Sequence, residues 1–153
     1  MSTLSIATSG LSAASLRLDV TASNIANALT TGPLPAASGS NASGGATSNS
    51  AGNSNSSANF SAYVPLQVNQ VDQTDGSTAG GTSAIVSTVS PSYAPQYDPA
   101  SPFANQDGLV ASPNVDLATQ FVQLLTAKYS FAANAKVVQA YDDTQKSLLD
   151  ITV

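Results

Sequence analysis

The stretch VDLATQFVQLLTAKYSFAANAKVVQAYDDTQKSLLDITV, residues Val115–Val153, contains neither glycine nor proline. Its apolar side chains recur every three or four residues, at Leu117, Phe121, Leu124, Leu125, Phe131, Ala132, Ala135, Val138, Leu148 and Leu149. This spacing predicts one helix from Leu117 to about Asp150, roughly 50 Å long at 1.5 Å per residue. A single helix cannot bury its own apolar stripe, so another segment or another chain must cover it.

A second apolar stripe lies near the N-terminus, in TLSIATSGLSAASLRLDVTASNIANALTTG, residues 3–32. A leucine or isoleucine recurs every seven residues and a small residue follows three positions later, at Leu4 and Ala7, Leu11 and Ala14, Leu18 and Thr21, Ile25 and Ala28. This heptad pattern is typical of a coiled coil, and its small residues allow a second helix to approach closely. Thr3 fits an N-cap, and Gly32 before Pro33 fits a stop signal. The two stripes predict that the terminal helices pair.

The chain between the two predicted helices has two parts. Residues 31–59 are rich in Ser, Asn and Gly and predict a disordered loop. Residues 60–115 predict a small β-rich and extended region. In it, Phe60–Asn69 alternates as a strand that Pro65 confines to an edge or a bulge, and Ser83–Ser90 is a second short strand. The five prolines of residues 91–114 predict an extended connector. The predicted fold is mainly α, with helices in residues 1–30 and 116–153.

The composition argues against most kinds of catalytic or nucleic-acid-binding site. Nine aspartates oppose four basic residues, and the chain has no histidine, cysteine or glutamate. A basic nucleic-acid footprint, thiolate metal sites and the commonest general bases are therefore absent. Asp142 and Asp143 are adjacent, so a helix points them about 100° apart, as on an ordinary solvated face. We expect no enzyme activity, no cofactor or metal, no nucleic-acid partner and no small-molecule substrate.

The start of the sequence carries no cationic segment followed by an apolar core, so we expect no cleaved signal peptide. The longest apolar runs are also too short to span a bilayer.

The N-terminal helix leads into an N-x-x-N-x-x-T-x-G element formed by Asn24, Asn27, Thr30 and Gly32. With the small-residue helix before it, this element resembles the N-terminal signature of bacterial flagellar rod and hook proteins. The C-terminal half resembles the proximal rod protein of the basal body, the FlgC type. The matching residues are Tyr97, Asp98, Pro99, Pro102, Ala104, Asp107, Gly108, Val110, Pro113, Asn114, Val115, Asp116, Tyr129, Ala133 and Asn134.

The resemblance covers roughly Leu4–Gly32 and Phe60–Val153, in the same order along the chain. The sequence departs from the family in its longer linker after Gly32. It also carries Thr119 and Gln120 where the family has Glu, which leaves Asp116 as the only carboxylate at the start of the second helix.

The resemblance implies a structural subunit that is exported by the flagellar type III apparatus without a cleaved signal peptide. The subunit would polymerise with other rod proteins and with copies of itself in a helical tube, the periplasm-spanning rod of the flagellum basal body. The rod is the drive shaft for motility. The candidate assembly interface consists of Leu4, Leu11, Leu18, Asn24, Ile25, Asn27, Phe121, Leu124, Leu125, Phe131, Ala135, Val138 and Leu149.

Other interpretations stay open from the residues alone. Stripes at helical spacing are also typical of a self-contained helical hairpin, in which they form only a core. A type III secreted protein whose coiled-coil helices bind a partner outside the cell would have the same pattern. An enzyme would have to work with Asp and Lys side chains alone.

Overall fold

The computed structural model describes residues 3–35, 62–73 and 80–151. It contains the helices α1 (Thr3–Asn27) and α2 (Leu117–Ile151) and the strands β1 (Leu66–Asp72), β2 (Thr82–Thr88), β3 (Tyr93–Tyr97) and β4 (Leu109–Pro113). The predicted mainly α fold, with two terminal helices around a small β region, is confirmed. The predicted loop at residues 31–59 lies outside the described residues from position 36 onward, and so does Phe60 of the predicted first strand.

The two helices pack against each other in antiparallel orientation. The start of α1 lies beside the later turns of α2, where Leu4 and Asp142 line one groove. The end of α1 lies beside the first turns of α2, where the Asn24 amide bonds to Gln120. Since α1 has 25 residues and α2 has 35, α2 is longer by about 15 Å.

The small residues of the predicted heptads form the buried seam of α1. Ala7, Ala14, Thr21 and Ala28 are each 8% exposed or less. The larger heptad residues Leu4, Leu11, Leu18 and Ile25 are only half-buried or, in the case of Leu4, at the edge of exposure. The helices therefore meet through small side chains, and the leucines lie on one flank of the contact.

Gly10 permits the close approach of the two helices at the middle of this seam. A Cβ atom at position 10 would lie 2.6 Å from the side-chain nitrogen of Asn134 and 2.9 Å from its Cγ. Glycine inside a helix lowers helix stability by about 1 kcal/mol relative to alanine. Here the absence of a side chain lets the Asn134 side chain pack against α1, which offsets that loss.

The β1–β2 hairpin packs against α1 on the flank opposite to Leu4 and Leu11. Its strands pair antiparallel from Leu66 with Thr88 to Asp72 with Thr82. The Thr82 amide donates to Ser9 Oγ at 3.2 Å, and Ser9, Ala13 and Leu16 line the groove between helix and strand. The first strand begins later than predicted because the buried Pro65 precedes it and uses its carbonyl to accept from the Val89 amide. Along β1, Leu66 and Val68 point inward, as the alternation predicted.

A second hairpin, β3–β4, lies in the segment predicted to be an extended connector, so that prediction was wrong for the paired residues 93–97 and 109–113. Tyr93 pairs with Pro113 and Tyr97 with Leu109, and Pro95 stands opposite Ala111 within the ladder. Proline is compatible with a strand edge, where no amide hydrogen is needed for pairing. Asn105 closes the connecting loop by accepting from the amides of Asp107 and Leu109 at 2.9 Å each.

Gly108 has a positive φ of 74° at the end of this loop. A Cβ atom there would also come within 3.0 Å of the Tyr97 ring, so glycine is required on both counts. Tyr97, Asp98 and Pro99 on one side of the hairpin thus meet Gly108 on the other, with the Asp98 amide donating to the Gly108 carbonyl at 2.9 Å.

The helix α2 starts at an aspartate cap. Asp116 Oδ1 accepts from the Ala118 amide at 3.1 Å, and the Thr119 hydroxyl donates to Oδ2. These hydrogen bonds, the one from Thr119 first, hold the pKa of Asp116 below its ordinary value. Within the described ranges, neither helix is apolar enough over a sufficient length to cross a membrane.

Candidate assembly surface

Asn24 lies at the centre of a buried polar cluster that joins three parts of the chain. Its side chain is 1% exposed. Nδ2 donates to the Leu66 carbonyl at 2.7 Å and to Gln120 Oε1 at 3.1 Å, while Oδ1 accepts from the Leu66 amide and the Tyr63 hydroxyl at 3.0 Å each. An asparagine amide has two donor hydrogens and two acceptor lone pairs, so its hydrogen-bonding capacity is fully used. Asn24 therefore ties α1 to both β1 and α2.

The rest of the N-x-x-N-x-x-T-x-G element guides the chain out of α1. Asn27 Nδ2 donates to the Ser23 carbonyl at 2.9 Å, and the Thr30 hydroxyl donates to the Asn27 carbonyl at 2.7 Å. Gly32 then forms a two-way bridge with Ala111 in β4, with N–O distances of 3.0 and 2.9 Å. Each of the four residues that define the element has a role inside the chain.

This placement separates Asn24 and Asn27 from the other predicted interface residues. The Asn24 side chain is enclosed by its own chain and cannot form a contact with another subunit. Asn27 is half-buried, and its amide bonds to its own helix. The sequence signal that could have distinguished them is their polarity, since a buried asparagine needs partners that an apolar interface does not supply. The remaining eleven candidates are apolar and lie on the two helices.

The first group of apolar candidates lies on one flank of the helix pair, away from the β1–β2 hairpin. We call it the open flank: Leu4, Leu11, Leu18 and Ile25 of α1 together with Leu124, Phe131, Ala135 and Val138 of α2. Phe131 is 42% exposed, and Ala135 is exposed. Near the start of α1 the open flank widens into a groove of about 490 Å³ whose lining includes Leu4, Ala135 and Val138.

The second group lies on the side of α2 that faces away from α1. We call it the outer patch: Phe121, Val122, Leu125 and Tyr129, which are 54%, 63%, 49% and 70% exposed. Positions 121, 125 and 129 follow each other at four-residue spacing, so their side chains form one continuous apolar strip. Phe121 and Leu125 were among the predicted interface residues, whereas Val122 and Tyr129 were not, because the prediction rested on a single apolar stripe per helix. An aromatic residue one turn after Leu125 was the available signal.

The last turns of α2 form a third apolar surface. Leu148, Leu149 and Ile151 are 59%, 72% and 79% exposed. Among the α2 residues that line a groove with Leu4, the last is Gln145, so the final turn of α2 continues past the start of α1. Lys146 bonds to the exposed Asp142 one turn earlier, and this hydrogen bond raises the pKa of Lys146.

These three surfaces can form apolar contacts with another protein. The part of the chain that the structure describes holds no group of three acidic side chains able to bind a metal ion. Among the described residues, the titratable groups with a shifted pKa are Asp116 at a helix cap and Lys146 in an exposed ion pair, and both shifts come from these local hydrogen bonds. What the fold presents is a rigid helix pair with apolar residues on two sides.

Two family descriptions match the chain, one for each helix. "Flagella basal body rod protein" matches residues 4–33, which hold α1 and the N-x-x-N-x-x-T-x-G element. "Flagellar basal body rod FlgEFG protein C-terminal" matches residues 106–151, which hold β4 and α2. No curated protein matches the sequence.

The two matches fall on the elements that the Asn24 cluster and the Gly32–Ala111 bridge hold together, in the order in which rod proteins carry them. They agree with a site made of helix surfaces and with the resemblance of both ends of the sequence. Both ends of the chain thus match flagellar basal-body rod domains, which point to a non-enzymatic structural component of the bacterial flagellum that associates with other rod components in the basal body.

Proposed function

We propose that this chain is a proximal rod subunit of the FlgC type, which polymerises with copies of itself and with other rod proteins into a helical tube. The proposal is supported by the residues that it shares with that type around β3, β4 and the start of α2. Tyr97–Pro99 and Asp107–Gly108 form the two sides of one hairpin, and Pro113–Asp116 leads from this hairpin into the cap of α2.

The observation that carries the proposal is the exposure of large apolar residues on two sides of the helix pair. The helix α2 buries only Ala127 completely, while the outer patch and much of the open flank remain accessible. Burial of one large apolar side chain contributes roughly 1.5–3 kcal/mol. In a polymer every copy gains this contribution from each neighbour, so a few exposed residues are sufficient to stabilise a helical assembly.

Charge substitutions on the outer patch test this proposal in a strain that lacks the native copy. We expect Phe121→Asp and Leu125→Asp to remove the subunit from isolated basal bodies and to abolish motility, because a carboxylate cannot be buried in an apolar contact. Subunit content is measured by immunoblot of purified basal bodies, and motility by swarming in soft agar.

The matched control is Gln70→Asp, which adds the same charge at an exposed position of β1, away from the outer patch. We expect this variant to be incorporated and to support motility. If both patch variants are incorporated as well as the control, the outer patch is not an assembly surface.

The proximal position is tested by electron microscopy of basal bodies from a deletion strain. A proximal subunit is needed before the rest of the rod can be added, so we expect membrane rings without a rod. A rod that still carries a hook would contradict the proximal position and leave the family membership untouched.

The same proposal includes export through the flagellar type III apparatus, without a cleaved signal peptide, into a rod that crosses the periplasm. It is supported by the match of residues 4–33 to the rod family. We expect the subunit to be retained in the cytoplasm when the flagellar export ATPase or gate is inactivated. Unchanged appearance of the subunit in the periplasm of such a strain would exclude this route.

A further inference from the structure

The seam between α1 and α2 is built from positions that repeat every seven residues on both helices. On α1 these are Ala7, Ala14, Thr21 and Ala28, all buried. On α2 the buried Ala127 and the half-buried Gln120, Asn134 and Tyr141 repeat at the same interval. A slide of one helix by seven residues brings equivalent positions together again. Small side chains discriminate weakly between such registers, because neighbouring alternatives bury similar surfaces.

A seven-residue slide would separate Gly10 from Asn134 and would pull the Gly32–Ala111 bridge apart. Asn24 adds a buried polar contact between the helices that the slide would also break. It bonds at one time to both backbone groups of Leu66, to the Tyr63 hydroxyl and to Gln120 of α2. These partners lie 39 to 96 residues away in the sequence. After a seven-residue slide Gln120 would leave the cluster, and a buried amide hydrogen would lose its acceptor.

We propose that Asn24 is the positioning residue that sets the register of the two helices and, with it, the alignment of the two halves of the open flank. A buried asparagine fixes register in this way because only one alignment satisfies its hydrogen bonds. A seven-residue slide would again bring small seam residues together, so the buried hydrogen bonds of Asn24 distinguish the observed register more sharply than those residues do. The proposal concerns the isolated chain and holds whether or not the chain is a proximal rod subunit.

The Tyr63–Leu66 segment is held in place by the same Asn24 cluster. The Tyr63 hydroxyl contacts both Asn24 Oδ1 and Ser23 Oγ at 3.0 Å, and Leu66 begins β1. The β1–β2 hairpin is thus fastened to α1 at the residue that also reaches α2. The register of the helix pair and the position of the hairpin are set together.

Engineered disulfides measure the register directly, because the native chain contains no cysteine. Gly10→Cys with Asn134→Cys reports the observed register, since a Cβ atom at position 10 lies 2.9 Å from Asn134 Cγ. Gly10→Cys with Ala127→Cys and Gly10→Cys with Tyr141→Cys report slides of seven residues in either direction. Both of these pairs also carry Asn134→Ala, so that the Cβ atom added at position 10 does not meet the Asn134 side chain in the observed register. The purified full-length chains are oxidised with copper phenanthroline, and monomeric cross-linked product is quantified by non-reducing electrophoresis.

We expect the parent chain to cross-link efficiently between positions 10 and 134 and only in traces in the two slid pairs. In the Asn24→Leu background, which keeps side-chain size but removes the hydrogen bonds, we expect the slid products to increase roughly tenfold. Gln120→Leu removes a single partner and should give a smaller increase. Circular dichroism confirms that the helices persist in each variant.

The proposal is overturned if Asn24→Leu gives a helical protein that cross-links only between positions 10 and 134, as the parent does. It is also overturned if the parent does not form that cross-link. If Asn24→Leu is not helical, Gln120→Leu carries the test, because it removes the α2 partner of Asn24 and leaves the Asn24 bonds to Leu66 and Tyr63 in place. A cross-linking pattern for Gln120→Leu identical to that of the parent then decides against Asn24.

Discussion

At the level of single residues, Asp116 shows how one side chain defines the start of a long helix. The next residues in the first turn, Thr119 and Gln120, have different partners. Thr119 donates to the Asp116 carboxylate, and Gln120 accepts from Asn24. The cap is therefore formed by Asp116 and Thr119 together, and Gln120 places a neutral acceptor beside the Asn24 amide.

We expect the stability of α2 to depend on pH through Asp116. Its pKa is lowered in the folded chain, so its carboxylate stabilises the fold above the unfolded-state value of about 3.9. This contribution is lost as the pH falls through the lowered pKa. Asp116→Ala should lower the thermal midpoint at pH 7 by about 2–4 °C, measured by circular dichroism at 222 nm.

The control for this prediction is Asp116→Asn, which keeps a good cap residue without a titrating group. It should retain most of the stability at pH 7 and show a weaker loss of stability than the native chain between pH 5 and about pH 3. An acid dependence equal to that of the native chain would assign the effect to the other aspartates.

At the level of the elements, the two helices could be predicted from the sequence because they follow from apolar periodicity. The β3–β4 hairpin could not, because its strands pair residues that are not neighbours in the sequence. The predicted C-terminal helix begins at the observed residue, because Asp116 caps it and no glycine or proline interrupts it. The buried alanines of α1 follow from the heptads. The β3–β4 hairpin was missed because Pro91, Pro95 and Pro99 reduce strand propensity, whereas a two-stranded sheet has edges that accept proline.

The candidate assembly surface could also be predicted only in part from the sequence. Helical spacing identified Phe121, Leu125 and the open flank, but it did not separate Asn24 from them. The partners of Asn24 at Tyr63, Leu66 and Gln120 are brought to it only by the folded chain. No local pattern in the sequence specifies those contacts.

The last turns of α2 lead to a prediction about local stability. Leu148, Leu149 and Ile151 at this end are 59%, 72% and 79% exposed, and a short helical segment with little buried surface is marginal in water. We expect amide hydrogens of residues 145–151 to exchange faster in the free chain than those of residues 120–138. Hydrogen exchange with mass spectrometry measures both segments in one digest. Equal protection in the free monomer would mean that the end of α2 is stable without a neighbour.

At the level of the whole molecule, the two helices are packed in a defined arrangement, while large apolar residues remain exposed on the surface. Small side chains and the Asn24 cluster hold the helices in one arrangement, and the β1–β2 hairpin covers one flank. The opposite flank and the outer patch keep large apolar residues accessible. A net charge of −5 is spread over few charged side chains, so electrostatic repulsion between copies is modest compared with the apolar surface that assembly can bury.

This division predicts which positions assembly should shield. Because the native chain has no cysteine, single substitutions can be labelled with a maleimide without background. We expect Leu125→Cys on the outer patch and Leu148→Cys at the end of α2 to react readily in the free subunit and poorly in isolated basal bodies, since both would be covered by neighbours. Ile85→Cys, at a residue of the β1–β2 hairpin that is 55% exposed and lies away from both helix surfaces, is the matched control and should react in both states. Rapid labelling at positions 125 and 148 in assembled rods would place the subunit contacts elsewhere on the molecule.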